Sequence, residues 1–153
     1  MSAELELCEE PYDGPMAQAL ITWVQAEYVD RYGGPDDTPV DPAEFAPPHG
    51  AFLVGYIEGQ AVATGGLRRH ADGELEIKRM FVTPEFRGRG LSRVMLAALE
   101  DRARSLGASR IVLETGLKQP EAISLYESSG YSRIPGFGHY AEAPLSVSFE
   151  KKL

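Results

Sequence analysis

The sequence has few of the side chains that form disulfides and metal sites. It contains one cysteine, Cys8, so an internal disulfide and a cysteine metal cluster are both excluded. Its three histidines show no paired spacing, and we predict no metal site. No uncharged run approaches the roughly 18 residues that a membrane-spanning helix needs, and residues 1–8 are too acidic for a secretion signal. We therefore expect a cytoplasmic protein that does not bind membranes.

Basic residues are also scarce. The chain has 15 Lys or Arg against 23 Asp or Glu, for a net charge of −8 at pH 7. Residues 1–50 contain eleven of the acidic residues and one arginine. This part of the chain either forms a solvated surface or attracts cationic substrates. The acidic balance argues against nucleic acid and anionic membranes as partners. A length of 153 residues suits one domain, which we predict to span residues 1–153.

Hydrophobic periodicity predicts a chain of mixed α/β class. Strands are predicted at residues 4–8, 51–57, 60–67, 74–82, 110–114, 131–134 and 145–150. Helices are predicted at residues 14–32, 91–106 and 120–129. Gly65 and Gly66 indicate a bulge or a close approach to the backbone. The proline-rich residues 35–50 are predicted to form a surface loop, either covering a substrate site or serving as a connector.

A turn with a glycine at every second position follows strand 74–82. It reads Arg87-Gly88-Arg89-Gly90-Leu91-Ser92-Arg93 and leads into a helix. The first N–H groups of a helix have no partner inside it, and the peptide dipoles make its start partly positive. Glycines let a ligand approach the backbone and the arginines add full charge, so the turn predicts a phosphate site. The P-loop and dinucleotide-binding patterns both fit it poorly.

Two motifs resemble those of the GNAT superfamily of N-acetyltransferases. The turn is similar to the family's Arg-x-x-Gly-x-Gly/Ala pyrophosphate loop, with Arg87 and Gly90 in place and Ser92 where glycine or alanine is usual. A later segment resembles the signature that contacts the pantetheine arm, with Gln119 where asparagine is usual. Its other matching residues are Ala122, Leu125, Tyr126, Glu127, Gly130 and Tyr131. The motifs occur in the family's order, with a helix and a strand between them.

The resemblance implies a fold and a co-substrate. The fold is the α/β GNAT fold, a mixed and mostly antiparallel sheet of six or seven strands with flanking helices and a central β-α-β crossover. The co-substrate is acetyl-CoA, without a metal. A bulged strand at Met80, Phe81 and Val82 is expected to open the cofactor cleft and to offer an N–H group to the acetyl oxygen. The expected cofactor-binding residues are Met80, Phe81, Val82, Arg87, Gly88, Arg89, Gly90, Leu91, Ser92, Arg93, Gln119, Ala122, Leu125 and Tyr126.

Acetyl transfer to an amine, the reaction that the resemblance implies, needs a base and an acid. An amine such as lysine titrates near pH 10, so a base must remove its proton at neutral pH. Glu76 shares one face of an ideal strand with Met80 and Val82, and it matches a catalytic glutamate of the histone-acetylating branch. Glu74 and a chain of waters are the alternatives. Tyr126 matches the tyrosine that protonates the departing thiolate.

We expect a small-molecule amine as acceptor, because the chain has no additional domain for recognising a protein. Direct attack in a ternary complex is favoured over a covalent acetyl-enzyme, since Cys8 is far in sequence from both motifs. The alternatives are a non-catalytic acyl-CoA-binding regulatory domain, a protein lysine or N-terminal acetyltransferase, and an enzyme with a longer acyl donor. A homodimer is compatible with the sequence but not required by it. Four residues either line the acceptor site or are ordinary surface residues: Arg68, Arg79, His139 and Tyr140.

Overall fold

The computed structural model describes residues 4–153, which form a seven-stranded sheet with three α-helices. The strand order is β1-β2-β3-β4-β5-β7-β6, and every neighbouring pair is antiparallel except β4 with β5. This confirms the predicted mixed sheet with a central crossover. The strands are β1 (Glu6–Glu9), β2 (Ala51–Ile57), β3 (Gln60–Ala71), β4 (Glu74–Val82), β5 (Arg110–Gly116), β6 (Ser132–Ile134) and β7 (Ser146–Lys152). The helices are α1 (Pro15–Tyr32), α2 (Leu91–Ser105) and α3 (Pro120–Ser128).

Helices cover both faces of the sheet and form two hydrophobic cores. On one face α2 packs through Met95 and Leu99, together with α3. On the other face α1 packs through Leu20 and Val24, beside a helical turn at Pro42–Phe45 in the proline-rich loop. Burying one such side chain contributes about 1.5–3 kcal/mol relative to leaving it exposed. Helices therefore stabilise the sheet from both sides. In the strand order, β4 and β5 lie in the middle of the sheet.

Adjacent glycines let both layers approach β3 closely. A Cβ atom at Gly65 would lie 2.7 Å from Leu99 Cδ1, and one at Gly66 would lie 2.9 Å from the Phe45 ring. The pairing of β3 with β4 also shifts register between Thr64 and Gly66. Both features that the sequence indicated at these glycines, a bulge and a close approach, are present.

The bulge changes which β4 side chains share a face. Arg79 and Met80 lie opposite a single β3 residue, so the alternation of side chains shifts by one position. Arg79 takes a φ of 57°, in the left-handed region. Met80 and Val82 consequently pack in the layer of α2 and α3. Leu75 and Ile77, the neighbours of Glu76 in the strand, pack in the α2 and α3 layer, so Glu76 lies on the α1 face. The prediction that Glu76 shares a face with Met80 and Val82 is wrong.

Three further features concern membrane spans, metal-binding groups and the cysteine. Within residues 4–153, no helix is both long and apolar enough to cross a membrane. The same residues contain no group of three or more His, Cys, Asp or Glu side chains suited to holding a metal ion. Cys8 is exposed on β1, an edge strand separated from β4 by β2 and β3.

Candidate active site

β4 and β5 form a fork in the middle of the sheet. They pair only over residues 74–77 and 110–113, although both strands continue past that point. A cavity of about 340 Å³ opens beside the unpaired ends. The end of α1, the start of the proline-rich loop, both strands and the segment before β7 form its walls. Its charged and aromatic lining residues are Tyr28, Tyr32, Asp36, Asp37, Lys78, Glu114 and Tyr140.

A buried ion cluster closes one side of this cavity. Asp36 Oδ2 lies 3.0 Å from Lys78 Nζ and 2.5 Å from Arg79 Nη1. The backbone N–H and the hydroxyl of Thr38 both donate to Asp36 Oδ1, at 3.0 and 2.6 Å. Burial acts to raise the pKa of Asp36, but the two cations and the Thr38 hydrogen bonds outweigh it and hold that pKa well below its usual range. The cluster ties the proline-rich loop to the bulge in β4.

Only one of the four candidate acceptor residues lines the cavity. That residue is Tyr140, whose hydroxyl donates to Asp37 Oδ1 at 2.7 Å. His139 Nε2 contacts the same Asp37 oxygen at 2.8 Å and lies outside the lining. Arg79 is committed to the ion cluster, and Arg68 donates to the carbonyl oxygen of Pro39 at 2.9 Å.

The two carboxylates predicted as bases are both paired with arginines. Glu76 Oε1 accepts from Arg68 Nε at 3.0 Å, and the residue is only 4% exposed. It is near the cavity but does not line it. Glu74 forms an ion pair with Arg110 at the closed end of the fork. Neither Glu76 nor Glu74 lines the cavity.

Glu114 is a cavity residue that the sequence analysis missed. It lies on β5, facing the α1 side of the sheet because Ile111 and Leu113 pack in the opposite layer. Ser146 Oγ donates to its Oε2 at 3.3 Å, and within residues 4–153 no cationic group lies within 4.0 Å of its carboxylate. Burial raises the pKa of Glu114, the charge of Glu76 adds to this, and Lys78 opposes it. The sequence signal was a carboxylate directly after the apolar run at residues 111–113.

Tyr126 lies on the other side of β4. Its hydroxyl is 3.8 Å from Met80 Sδ, next to the bulge. Burial raises the pKa of Tyr126, so its hydroxyl stays protonated at neutral pH. Tyr28, which lines the cavity, is affected in the same way, and burial raises its pKa to about 12. Both phenols can therefore donate hydrogen bonds.

The glycine turn has the open backbone that a phosphate site needs. Gly88 and Gly90 take left-handed conformations, with φ of 78° and 76°, and no heavy atom lies within 4 Å of where their Cβ atoms would be. α2 begins at Leu91 without a side-chain cap. Arg93 Nη2 donates to Ser128 Oγ at 2.7 Å, which links the turn to α3.

α1 contacts both segments that carry the two motifs. Glu27 Oε2 accepts from Arg87 Nη2 at 2.8 Å, and Arg87 Nε also donates to the carbonyl oxygen of Val82 at 2.9 Å. One turn further on, Tyr32 donates to Gln119 Oε1 at 3.1 Å. The same helix thus forms a cavity wall and contacts the phosphate turn.

Comparison with known proteins identifies the family. The family model described as "Acetyltransferase (GNAT) family" matches residues 17–131. The chain belongs to the GNAT acetyltransferase family. As a member it is an acetyl-CoA-dependent N-acetyltransferase.

Several relatives of this acetyltransferase are informative. An IAA acetyltransferase of Azospirillum brasilense is 36% identical over 147 residues, which are 92% of this chain and 95% of that protein. The N-acetylaspartate synthetase of Homo sapiens is 30% identical over 108 residues, 70% of this chain and 36% of that protein. A GNAT acetyltransferase of Elizabethkingia anophelis, crystallised with acetyl-CoA bound, has a TM-score of 0.72 at 14% identity and covers 97% of this chain and 98% of its own. That last similarity supports the fold.

Proposed function

We propose that this acetyltransferase transfers the acetyl group of acetyl-CoA directly to the amine of a small molecule, within a ternary complex. The observation that carries the proposal is the cavity of about 340 Å³ at the fork of β4 and β5. Its volume lies at the small end of the range of about 300–1,000 Å³ that is typical of small-molecule sites. The relatives named IAA acetyltransferase and N-acetylaspartate synthetase carry names that refer to small molecules.

The fork offers the cofactor a path along β4. Past Ile77 the β4 edge that faces β5 has no strand partner among the described residues, so its backbone groups can pair with an extended ligand arm. The open glycines, the uncapped start of α2 and the arginines of the turn suit a pyrophosphate. We propose that the cofactor residues predicted from the two motifs bind acetyl-CoA from these segments and from α3.

Direct transfer agrees with where the nucleophilic side chains lie. The one cysteine, Cys8, is exposed on the edge strand β1 and is distant from the fork in the sheet order. We assign to Tyr126 the donor role toward the leaving sulfur, because its hydroxyl is beside the β4 bulge. Glu76 is the base that the family resemblance predicts, and its carboxylate is paired with Arg68.

Thermal unfolding with and without acetyl-CoA, followed by thiol release across a panel of amines, tests the proposal. We expect a hundredfold excess of cofactor over its Kd to stabilise the protein by about 2.7 kcal/mol. Thiol release with small amines is the expected second result. Stabilisation without release from any amine would favour the non-catalytic regulatory alternative, and release with peptides only would favour a protein acetyltransferase. No stabilisation at saturating cofactor would contradict the assigned cofactor site.

Substitutions of Arg87 and of Glu27 should change the affinity for acetyl-CoA in opposite directions. Arg87→Gln removes a charge-assisted hydrogen bond to the pyrophosphate, and we expect the Kd of acetyl-CoA to rise about tenfold. Glu27→Gln frees Arg87 from its ion pair at 2.8 Å, so we expect the Kd to fall. Isothermal titration calorimetry measures both. Arg102→Gln is the matched control, because Arg102 pairs with Glu9 at the far end of α2. An unchanged Kd in Arg87→Gln would remove Arg87 from the cofactor site.

A further inference from the structure

Building on the proposed function, we propose that Glu114 binds the ammonium group of the acceptor and removes its proton, and that the acceptor is a monoamine with an apolar or aromatic body. The inference concerns both the identity of the base and the class of substrate. It replaces the base predicted from the family resemblance with a residue on the neighbouring strand.

Glu114 differs from the other carboxylates of the site in being partly buried with no cation within 4.0 Å of its carboxylate among residues 4–153. Asp36 is shared by Lys78 and Arg79, and Glu76 is paired with Arg68 at 3.0 Å. Asp37, the remaining acid of the lining, is exposed and accepts from Tyr140 and His139. A carboxylate that already has a buried cation gains little from binding an ammonium group. The unpaired and partly desolvated Glu114 gains most.

The position of Glu114 is also suitable for proton transfer. It lies on the α1 face of β5, just past the last residue that pairs with β4, and Lys78 lies just past that point on β4. The cavity begins there, so an amine bound to Glu114 lies at the open end of the fork, beside the β4 edge that we assign to the cofactor. Ser146 Oγ, at 3.3 Å from Oε2, orients the carboxylate without neutralising it.

The chemical step then balances. The ammonium group gives one proton to the Glu114 carboxylate, which passes it to solvent. The free amine attacks the thioester carbonyl carbon, so an N–C bond forms and the C–S bond breaks. The leaving sulfur takes a proton from Tyr126, and the second proton lost by the nitrogen restores the phenol. The acetylated amine, coenzyme A as thiol and one released proton are the products.

The rest of the lining favours an apolar or aromatic body on the acceptor. Tyr28, Tyr32 and Tyr140 present aromatic rings, and Pro35 and Leu145 add apolar surface. Tyrosine rings attract both an ammonium group and a flat apolar group. None of these five side chains provides a carboxylate for a second ammonium group.

The ion cluster disfavours a diamine. Lys78 Nζ and Arg79 Nη1 share one oxygen of Asp36, at 3.0 and 2.5 Å, so their local charge is positive. A second ammonium group held close to Glu114 would be near these cations in a region of low dielectric, where like charges repel strongly. Of the acidic residues 1–50, Asp36 is thus neutralised beside the amine site, whereas Asp37 lines the cavity with an exposed carboxylate.

The decisive experiment compares Glu114→Gln with Glu76→Gln in full-length protein, measuring thiol release at saturating acetyl-CoA. We expect Glu114→Gln to lose at least a hundredfold in kcat/KM for the amine, and Glu114→Asp to recover part of that loss. Glu150→Gln on the neighbouring β7, whose carboxylate pairs with Arg110, is the matched control and should behave as wild type. Equal thermal stabilisation by acetyl-CoA in all variants verifies the fold and the cofactor site. A loss in Glu76→Gln with Glu114→Gln active would overturn the proposal.

The acceptor class is tested in the same assay with three probes. We expect 2-phenylethylamine to give a kcat/KM at least tenfold above that of 1,4-diaminobutane, with butylamine between them. A preference for the diamine would overturn the assigned class. Thiol release by no amine in the wild-type protein would reject the proposed function itself. An active wild type with unaffected Glu114→Gln would reject only the role of Glu114.

Discussion

We expect the replacement of Tyr126 by phenylalanine to lower kcat by about a hundredfold and to leave the Kd of acetyl-CoA unchanged. Its hydroxyl is beside the β4 bulge, 3.8 Å from Met80 Sδ, and burial raises its pKa, so it remains protonated while negative charge develops on the leaving sulfur. The substitution removes only that donor. Because the Met80 sulfur is a weak acceptor, the loss should cost the fold little. Steady-state thiol release and calorimetry give the two quantities.

Tyr131→Phe provides a control of the opposite kind. The Tyr131 ring is 5.6 Å from that of Tyr126, but its hydroxyl donates to Glu100 Oε2 at 2.8 Å. Removing this donor leaves the buried Glu100 with Lys151 as its remaining side-chain partner among residues 4–153. We expect the free energy of unfolding to fall by about 1–3 kcal/mol and kcat to be unchanged. Wild-type turnover in Tyr126→Phe would exclude Tyr126 as the donor, and weaker cofactor binding would assign it a binding role instead.

The second large effect is on stability, at the ion cluster beside the cavity. Asp36→Asn leaves Lys78 and Arg79 buried without a carboxylate, with side chains only 7% and 2% exposed. Breaking a buried pair by removing one partner costs about 3–5 kcal/mol, and the asparagine keeps an oxygen for the Thr38 hydrogen bonds, so we expect a value near the lower end. Urea unfolding measures the change as a lower midpoint. Asp37→Asn, next in the chain and exposed, should leave the midpoint unchanged.

The same cluster predicts how stability depends on pH. The pKa of Asp36 is lower in the folded protein than in the unfolded chain, so the folded state binds fewer protons. Its contribution is complete above the unfolded pKa of about 3.9 and is lost as the pH falls toward the folded pKa. The stability difference between wild type and Asp36→Asn should therefore narrow below about pH 4. A difference that stays constant down to pH 2 would contradict this account.

The sequence alone determined the order of the elements and predicted the general location of the site. Hydrophobic periodicity located the helices and strands, because each pattern is complete within a few turns or a few residues. The same holds for the glycine turn, since the conformation of Gly88 and Gly90 and the charge of its arginines are local properties. Family resemblance then connected these features to acetyl-CoA before any tertiary contact was considered.

Only the tertiary structure decided which of the carboxylates on β4 and β5 lines the cavity. The bulge at Arg79 shifts the alternation of β4 by one residue, and an ideal-strand argument cannot include it because it depends on pairing with β3. Asp36 meets Arg79 from 43 positions away, and Glu114 lines the cavity at the point where the pairing of β4 with β5 has ended one residue earlier. Registers and ion pairs of this kind arise from side chains that are distant in sequence, so local patterns do not encode them.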